Sequence, residues 1–225
     1  MMAAVDTVLF DVDDTLCEYR RATGEVLELA FERAGVEPFF PVAAYLDRYS
    51  EFADEADTVA DLRTACFSTI AAERGYDPER GREVAAAFTA ERDHRNVRAL
   101  PGLDDALDAL STAGYRVGVV TNGAPEMQRQ KLDALDLRDR FEVVVHGGYD
   151  APAKPAPDPF HRALDRLGGD PGRAVHVGNS LASDVAGAQA AGLRAAWLRQ
   201  HDGDPDPAPD YTVDSLHDLT TPPWE

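Results

Sequence analysis

The sequence contains little cysteine and no long hydrophobic run. Its two cysteines, Cys17 and Cys66, are too few and too isolated for a disulfide framework or a zinc site. No apolar stretch reaches the roughly 18 residues of a membrane span, and no basic segment precedes the first apolar residues. We therefore predict neither a membrane helix nor a signal peptide. The expected compartment is the cytoplasm.

Positive charge is also scarce. Against 41 Asp and Glu residues there are 22 Lys and Arg residues, which gives a net charge of −19. Nucleic acids and anionic membranes bind basic surfaces, so neither is an expected partner. The basic residues are nearly all arginine and the acidic excess favours Asp, a balance typical of halophilic proteins, with an ordinary acidic cytosolic protein as the alternative. Because Lys131 and Lys154 are the only lysines, a retained lysine carries more information than usual.

Short apolar runs alternate with stretches of helical spacing over most of the chain. The runs are Val5–Phe10, Arg116–Val120, Glu142–Val145, Ala174–Val177 and Arg194–Leu198. The helical stretches are Leu103–Ala113, Glu126–Leu135, Pro159–Leu167 and Asp184–Ala191. Nearly continuous apolar runs are typical of strands buried on both faces of a parallel sheet. The alternation predicts a doubly wound, Rossmann-like α/β sheet, followed by an edge strand at Tyr211–Val213 and a closing helix.

One interval breaks this alternation. Roughly 100 residues separate the first run from the second, far more than a crossover helix needs. Apolar residues at helical spacing fill Arg21–Arg95, and glycines and prolines divide that segment into about four helices. We therefore predict a helical domain of residues 17–95, inserted into a core made of residues 1–16 and 96–225.

An Asp-x-Asp pair, Asp11 and Asp13, directly follows the first apolar run. In open α/β sheets ligands bind at the carboxyl ends of strands, so Asp11 is expected at the floor of a site. A carboxylate at that place can attack phosphorus, and a second one two residues later can act as general acid and base. A capped turn in an Asp-rich chain is the alternative interpretation.

Polar residues also follow the next three runs. Thr121 and Asn122 end the second run, where a hydroxyl and N–H groups can bind phosphate oxygens. Lys154 follows the third run, in a loop where Pro152 precedes it and Pro155 follows it. Its ammonium could neutralise the charge of a nucleophile and of a phosphate together. Asn179 and Asp184 follow the fourth run. Their oxygens, with those of Asp11, suit Mg²⁺. Taken singly, a turn, a surface lysine or a helix N-cap would explain each of these residues.

Together, and in this order, the four motifs resemble the haloacid dehalogenase-like hydrolase superfamily. The similarity is greatest to its phosphatases that carry a helical cap inserted after the first motif, and it covers nearly the whole chain. The resemblance implies that Asp11 is the nucleophile and Asp13 the acid/base. It further implies that Thr121 and Asn122 hold phosphate and that Lys154 balances charge there.

The same resemblance implies a Mg²⁺ site formed by Asp11, the Asp13 main-chain carbonyl, Asn179 and Asp184. Asn179 departs from the family pattern, because most phosphatases of this kind carry Asp at that position. The amide still offers a neutral oxygen.

The activity we expect is Mg²⁺-dependent hydrolysis of a small phosphomonoester through an aspartyl-phosphate. One alternative is a 2-haloacid dehalogenase, which Asn179 favours and Asp13 disfavours, because such relatives lack that acid/base. Another is a non-catalytic binding protein on the same fold. The sequence predicts neither the particular substrate nor an oligomeric state.

Overall fold

The computed structural model describes residues 4–53, 56, 58–200 and 204–225. It divides into two compact units. One is built from residues up to Glu18 and from Val97 onward, and the other is Tyr19–Asn96. None of the helices in the described ranges combines the length and the apolar character that a membrane crossing requires.

The described residues form eight strands. They are β1 (Thr7–Phe10), β2 (Cys17–Tyr19), β3 (Val97–Ala99), β4 (Arg116–Thr121), β5 (Val143–His146), β6 (Ala174–Gly178), β7 (Arg194–Leu198) and β8 (Tyr211–Val213). Six of them make one sheet in the order β5-β4-β1-β6-β7-β8, and all its neighbours run parallel. Strands β2 and β3 form a separate two-stranded sheet. The predicted doubly wound parallel sheet is confirmed, and β7 and β8 have the predicted bounds.

The sheet unit also contains four α-helices among its described residues. They are α5 (Leu103–Thr112), α6 (Pro125–Ala134), α7 (Asp158–Leu167) and α8 (Ala186–Ala190). Sequence punctuation sets some of these ends: α6 and α7 carry a proline in the first turn, and left-handed Gly168 (φ 64°) ends α7. Prediction and structure differ at Asp184–Ala191, where a π-helical turn, Leu181–Val185, precedes a short α8. The closing helix is a 3₁₀ helix, Leu216–Thr220.

The sheet is buried through its centre. Strands β1, β6 and β7 are buried along their whole length, because helices cover a parallel sheet on both faces. In the register of β1, Phe10 is paired with Val119 on β4 and with Val177 on β6. The carboxyl ends of these three strands therefore lie side by side. Strands β4 and β5 lie on one side of β1, and the later strands β6, β7 and β8 lie on the other side. The carboxyl end of β1 is therefore at the switch point, where such sheets bind ligands.

The unit Tyr19–Asn96 is helical. Its helices are α1 (Thr23–Ala34), α2 (Val42–Ala53), α3 (Val59–Glu73) and α4 (Pro78–Glu91). The Thr58 side chain caps α3 and that of Asp77 caps α4, each accepting a hydrogen bond from a main-chain N–H of the first turn. The helices enclose a separate core rich in aromatic residues, which includes Phe31, Phe67 and Phe88.

Candidate active site

Asp11 is the first residue after β1, and its side chain is almost buried. Its Oδ1 accepts a hydrogen bond of 2.8 Å from Lys154 Nζ. The same ammonium donates to Asp184 Oδ1 at 2.6 Å and to the Val120 carbonyl at 2.7 Å. All three ammonium protons of Lys154 are thus used. Lys154 thus binds two carboxylates, Asp11 and Asp184, that are 173 residues apart in the chain. Together with its bond to Val120, these contacts join the ends of strands β1, β4 and β6.

Burial and charge shift the pKa values of these three groups in different directions. Burial raises the pKa of Asp11 to about 7; Lys154 opposes that rise, and the carboxylates of Asp184 and Asp13 add to it. Burial opposes ionisation of Asp184 as well, but Lys154 and a hydrogen bond from His176 hold its pKa well below the usual range. Burial by itself would lower the pKa of Lys154, yet Asp11 and Asp184 raise it overall. Lys154 is therefore a permanent cation at this site.

Asp184 is held from three sides. Besides Lys154, it accepts hydrogen bonds from the Ser180 main-chain N–H (2.9 Å, to Oδ2) and from His176 Nε2 (3.1 Å, to Oδ1). Burial lowers the pKa of His176, so its imidazole is neutral and donates through Nε2. Gly178, the last residue of β6, gives the carboxylate its room, because a Cβ there would overlap the carboxyl carbon of Asp184. The bond back to Ser180 accompanies the π-helical turn that replaces the expected helix start.

The Asn122 side chain holds the loop that carries Lys154. Its Oδ1 accepts from the Lys154 main-chain N–H at 2.8 Å, and its Nδ2 donates to the Lys154 carbonyl at 2.9 Å. This contact differs from the expected one, in which Asn122 binds phosphate. One Nδ2 proton is used in this way, so Asn122 can still offer a phosphate its second Nδ2 proton and its main-chain N–H.

Thr121, the last residue of β4, has a buried hydroxyl that accepts two hydrogen bonds. Gln128 Nε2 donates to it at 3.0 Å and the Gly123 main-chain N–H at 3.1 Å. A hydroxyl oxygen has two acceptor positions and one proton. Because both acceptor positions are filled, the proton of Thr121 remains to donate, as the expected phosphate contact requires.

Asp13 contacts two residues of α6 that the sequence motifs did not include. Gln128 Nε2 donates to its Oδ2 at 2.6 Å, and Lys131 Nζ donates to its Oδ1. The Asp13 side chain is 44% exposed, whereas that of Lys131 is 1% exposed. The scarcity of lysine was a signal for Lys131 as much as for Lys154, but nothing in the sequence indicates which motif the Lys131 side chain reaches.

The oxygen atoms of the expected metal ligands differ in how many hydrogen bonds they already accept. Asn179 Oδ1 accepts a hydrogen bond of 3.2 Å from Thr15 Oγ1, while both oxygens of Asp184 are engaged as described. Asp11 Oδ2 accepts no hydrogen bond from any described residue. In the ranges that the structure describes, no three His, Cys, Asp or Glu side chains form a metal-binding group by themselves. The expected set instead includes an amide and a main-chain carbonyl.

The chemistry of this donor set fits Mg²⁺. Hard oxygen atoms are the ligands that this ion prefers. The carboxylates of Asp11, Asp13 and Asp184 lie against the two ammonium groups of Lys131 and Lys154, so a negative charge remains in excess. The raised pKa of Asp11 has the same origin, since burial and neighbouring carboxylates disfavour its ionised form. A divalent cation would neutralise this excess charge.

Comparison with known proteins assigns the family. The model of the haloacid dehalogenase-like hydrolases matches residues 5–192. The chain belongs to this family. Over 94% of its length it is 33% identical to a phosphoserine phosphatase of Thermus thermophilus, of which it covers 96%. It is 30% identical to a glyceraldehyde 3-phosphate phosphatase of Methanopyrus kandleri, over 96% of the chain and 95% of the relative. The chain is thus an enzyme of the hydrolase class, and these relatives are phosphatases.

Solved structures of the family have the same fold. The HAD-hydrolase YfnB of Bacillus subtilis, bound to magnesium, superposes with a TM-score of 0.77 at 23% identity, covering 96% of this chain and 97% of that one. A 2-haloacid dehalogenase of Pseudomonas syringae superposes with a TM-score of 0.68 at 28% identity, covering 96% of each chain. The resemblance inferred from the four motifs is confirmed.

Proposed function

We propose that this enzyme is a Mg²⁺-dependent phosphatase that hydrolyses a small phosphomonoester through a phosphoryl group carried on Asp11. The observation that carries the proposal is the contrast between the two carboxylates that follow β1. Asp11 is buried and bound to a permanent cation, whereas Asp13 is half-exposed and held through both of its oxygens. One is suited to nucleophilic attack and the other to moving a proton. The phosphatase relatives support the same reaction.

In the first step a carboxylate oxygen of Asp11 attacks phosphorus and the bond to the leaving oxygen breaks. Asp13 gives that oxygen a proton, so the leaving group departs as an alcohol. In the second step Asp13 takes a proton from water, whose oxygen attacks phosphorus. The bond from phosphorus to Asp11 then breaks, which releases inorganic phosphate and restores the Asp11 carboxylate and the protonated Asp13.

The remaining residues neutralise the charge of the phosphate group and orient it. Lys154 lies next to Asp11 and can neutralise part of the phosphate charge, while the Thr121 hydroxyl donates to a phosphate oxygen. Asp11, the Asp13 main-chain carbonyl, Asn179 and Asp184 would hold Mg²⁺. That ion, when bound, neutralises charge on the transferring phosphoryl group.

The substrate is proposed to be a small phosphorylated metabolite, as in the relatives. The helical unit Tyr19–Asn96 is proposed as the substrate-selecting cap of this family. Its own aromatic core indicates that it is built as a separate body rather than as an extension of the sheet unit.

The second candidate is hydrolytic dehalogenation. Asn179 and the similarity to the dehalogenase of Pseudomonas syringae favour it. The presence of Asp13, held in place by Gln128 and Lys131, favours the phosphatase instead, because a halide leaves without a proton and that reaction has no use for an acid at this position.

Activity on a substrate panel tests the proposal. Phosphoserine, glyceraldehyde 3-phosphate, phosphoglycolate and nucleoside 5′-phosphates are assayed for phosphate release, and 2-chloropropionate for chloride release, each with Mg²⁺ and with EDTA. We expect Mg²⁺-dependent phosphate release that is absent from Asp11→Asn. Chloride release that persists in EDTA, with no phosphate release, would establish the dehalogenase.

A further inference from the structure

Two side chains of α6, Gln128 and Lys131, belong to none of the four motifs, yet both reach the catalytic turn. We propose that they are positioning residues: they fix the Asp13 carboxylate for proton transfer and orient the Thr121 hydroxyl as a donor to phosphate. This inference rests on the proposed function, because it assigns a purpose to the acid/base of that reaction.

The contacts lock the carboxylate in one orientation. Gln128 donates to Oδ2 of Asp13 at 2.6 Å and Lys131 donates to Oδ1, so each oxygen has its own donor. The two donors lie three positions apart on one face of α6, and both are buried. Asp13 itself is half-exposed and would otherwise change rotamer freely. Rigid interior groups therefore hold a side chain that faces outward.

Stability alone does not account for this arrangement. An ion pair with a half-exposed carboxylate contributes little, whereas removing an ammonium from water is costly. Lys131 is 1% exposed and its carboxylate partner 44%. In a protein whose basic residues are nearly all arginine, a buried lysine aimed at Asp13 indicates a function at that carboxylate.

Gln128 couples Asp13 to the phosphate-binding residue. The two protons on its Nε2 go to Asp13 Oδ2 and to Thr121 Oγ1, while its buried Oε1 has no partner among the described residues. The reverse amide orientation would place that oxygen against the Asp13 carboxylate, so charge fixes the orientation. Gly123 leaves the space for it, since a Cβ at that position would overlap the Gln128 amide.

The consequence is specific to proton transfer. If Gln128 and Lys131 position Asp13, then removing either slows departure of a poor leaving group and activation of water. Departure of an activated aryl leaving group, which needs no proton, is slowed far less. A general loss of folding would slow both substrates equally.

The experiment compares Gln128→Met and Lys131→Met with matched controls on the same helix. Gln130→Met makes the same chemical change at a residue that bonds Glu126, and Arg129→Met removes a cation that also pairs with Glu126. Single turnovers of an alkyl phosphate and of 4-nitrophenyl phosphate are followed by rapid quench and stopped flow. Thermal unfolding of every variant checks the fold.

For the alkyl phosphate we expect single-turnover rates about 10- to 100-fold below wild type in both Met variants at saturating substrate, since misplacing a reacting group costs rates of this order. With 4-nitrophenyl phosphate we expect a burst of nitrophenolate at close to the wild-type rate, followed by slow turnover. The control variants should behave as wild type with both substrates. Because Gln128 also orients Thr121, Gln128→Met should raise KM more than Lys131→Met does.

Equal losses with both substrates would overturn the inference, and so would a variant faster than wild type, which would mean that the pair restrains Asp13. If Lys131→Met does not fold, Gln128→Met decides alone. The proposed function fails separately: it is wrong if wild type releases no phosphate or if Asp13→Asn is as active as wild type. An impaired Asp13→Asn with unimpaired Gln128→Met and Lys131→Met rejects only the positioning roles.

Discussion

At the scale of single residues, the two carboxylates after β1 should respond differently to replacement by an amide. Asp11→Asn should abolish turnover, since an amide is a poor nucleophile. Asp13→Asn should slow an alkyl phosphate by roughly 10²- to 10⁴-fold, the usual contribution of general acid–base catalysis. Steady-state assays of both variants measure this. An Asp11→Asn variant that keeps over about a tenth of wild-type activity, a loss of only some 1.4 kcal/mol, would exclude Asp11 as the nucleophile.

The charge of Asp11 also predicts a pH-dependent stability. Burial raises its folded pKa to about 7, with Lys154 opposing the rise. In the unfolded chain the pKa of an Asp side chain is about 4. Between these values the metal-free folded protein keeps a proton that the unfolded chain releases, so this group's contribution to stability is lost as pH rises through about 7. In EDTA the melting temperature of Asp11→Asn, relative to wild type, should therefore increase between these two pH values. A difference that does not vary with pH would contradict the shift.

Replacing the amide of Asn179 by a carboxylate should change the affinity for Mg²⁺. Its main-chain carbonyl accepts a hydrogen bond of 2.9 Å from Trp197 Nε1, which fixes the backbone whatever the side chain. Asn179→Asp adds a negative charge among the proposed ligands, so it should lower the Mg²⁺ concentration for half-maximal activity several-fold. The Mg²⁺-induced rise in melting temperature should increase in parallel. Identical Mg²⁺ titrations of the two proteins, at low and at high salt, would place Asn179 out of the ion's reach.

At the scale of elements, the close approach of Gly178 to Asp184 joins the end of β6 to the following turn. Gly178→Ala should destabilise the protein and reduce kcat, because its Cβ would push the Asp184 carboxylate away from Lys154. Overpacking of this kind typically costs about 1–3 kcal/mol. Gly24→Ala is the control, since a Cβ there meets only Val42 at 4.0 Å. Chemical denaturation gives both free energies of unfolding, and equal values would refute the packing argument.

Elements also show how far sequence reasoning extends. Continuous apolar runs located five of the large sheet's six strands, and Arg194–Leu198 was right at both ends. The sixth, Tyr211–Val213, was expected as a short edge strand and has those bounds. The two-stranded sheet of β2 and β3 was missed, because three-residue strands about 80 positions apart leave no periodic pattern. In the site, the motifs led to Asp11 and Lys154, which are in contact. Gln128, Lys131 and His176 were missed, because a helix or strand pattern does not tell which distant carboxylate a side chain will meet.

At the scale of the whole molecule, six parallel strands bring residues from four separate segments to one edge of the sheet. Every contact described for the site comes from the unit built around that sheet, and its central feature is Lys154 bound to both Asp11 and Asp184. The net charge of −19 gives this cation particular weight, since the surrounding field favours its ammonium form.

The central claim is that phosphate passes through Asp11, and trapping the phosphoryl enzyme tests it most directly. Asp13→Asn, in which water activation is impaired, is mixed with 4-nitrophenyl phosphate and Mg²⁺, quenched in acid, digested and analysed by mass spectrometry. We predict one added phosphoryl group on the peptide that contains Asp11, removed by hydroxylamine and absent from the Asp11→Asn, Asp13→Asn double variant. A wild-type enzyme that releases phosphate while this peptide never carries a phosphoryl group, or carries it equally in the double variant, would contradict the account.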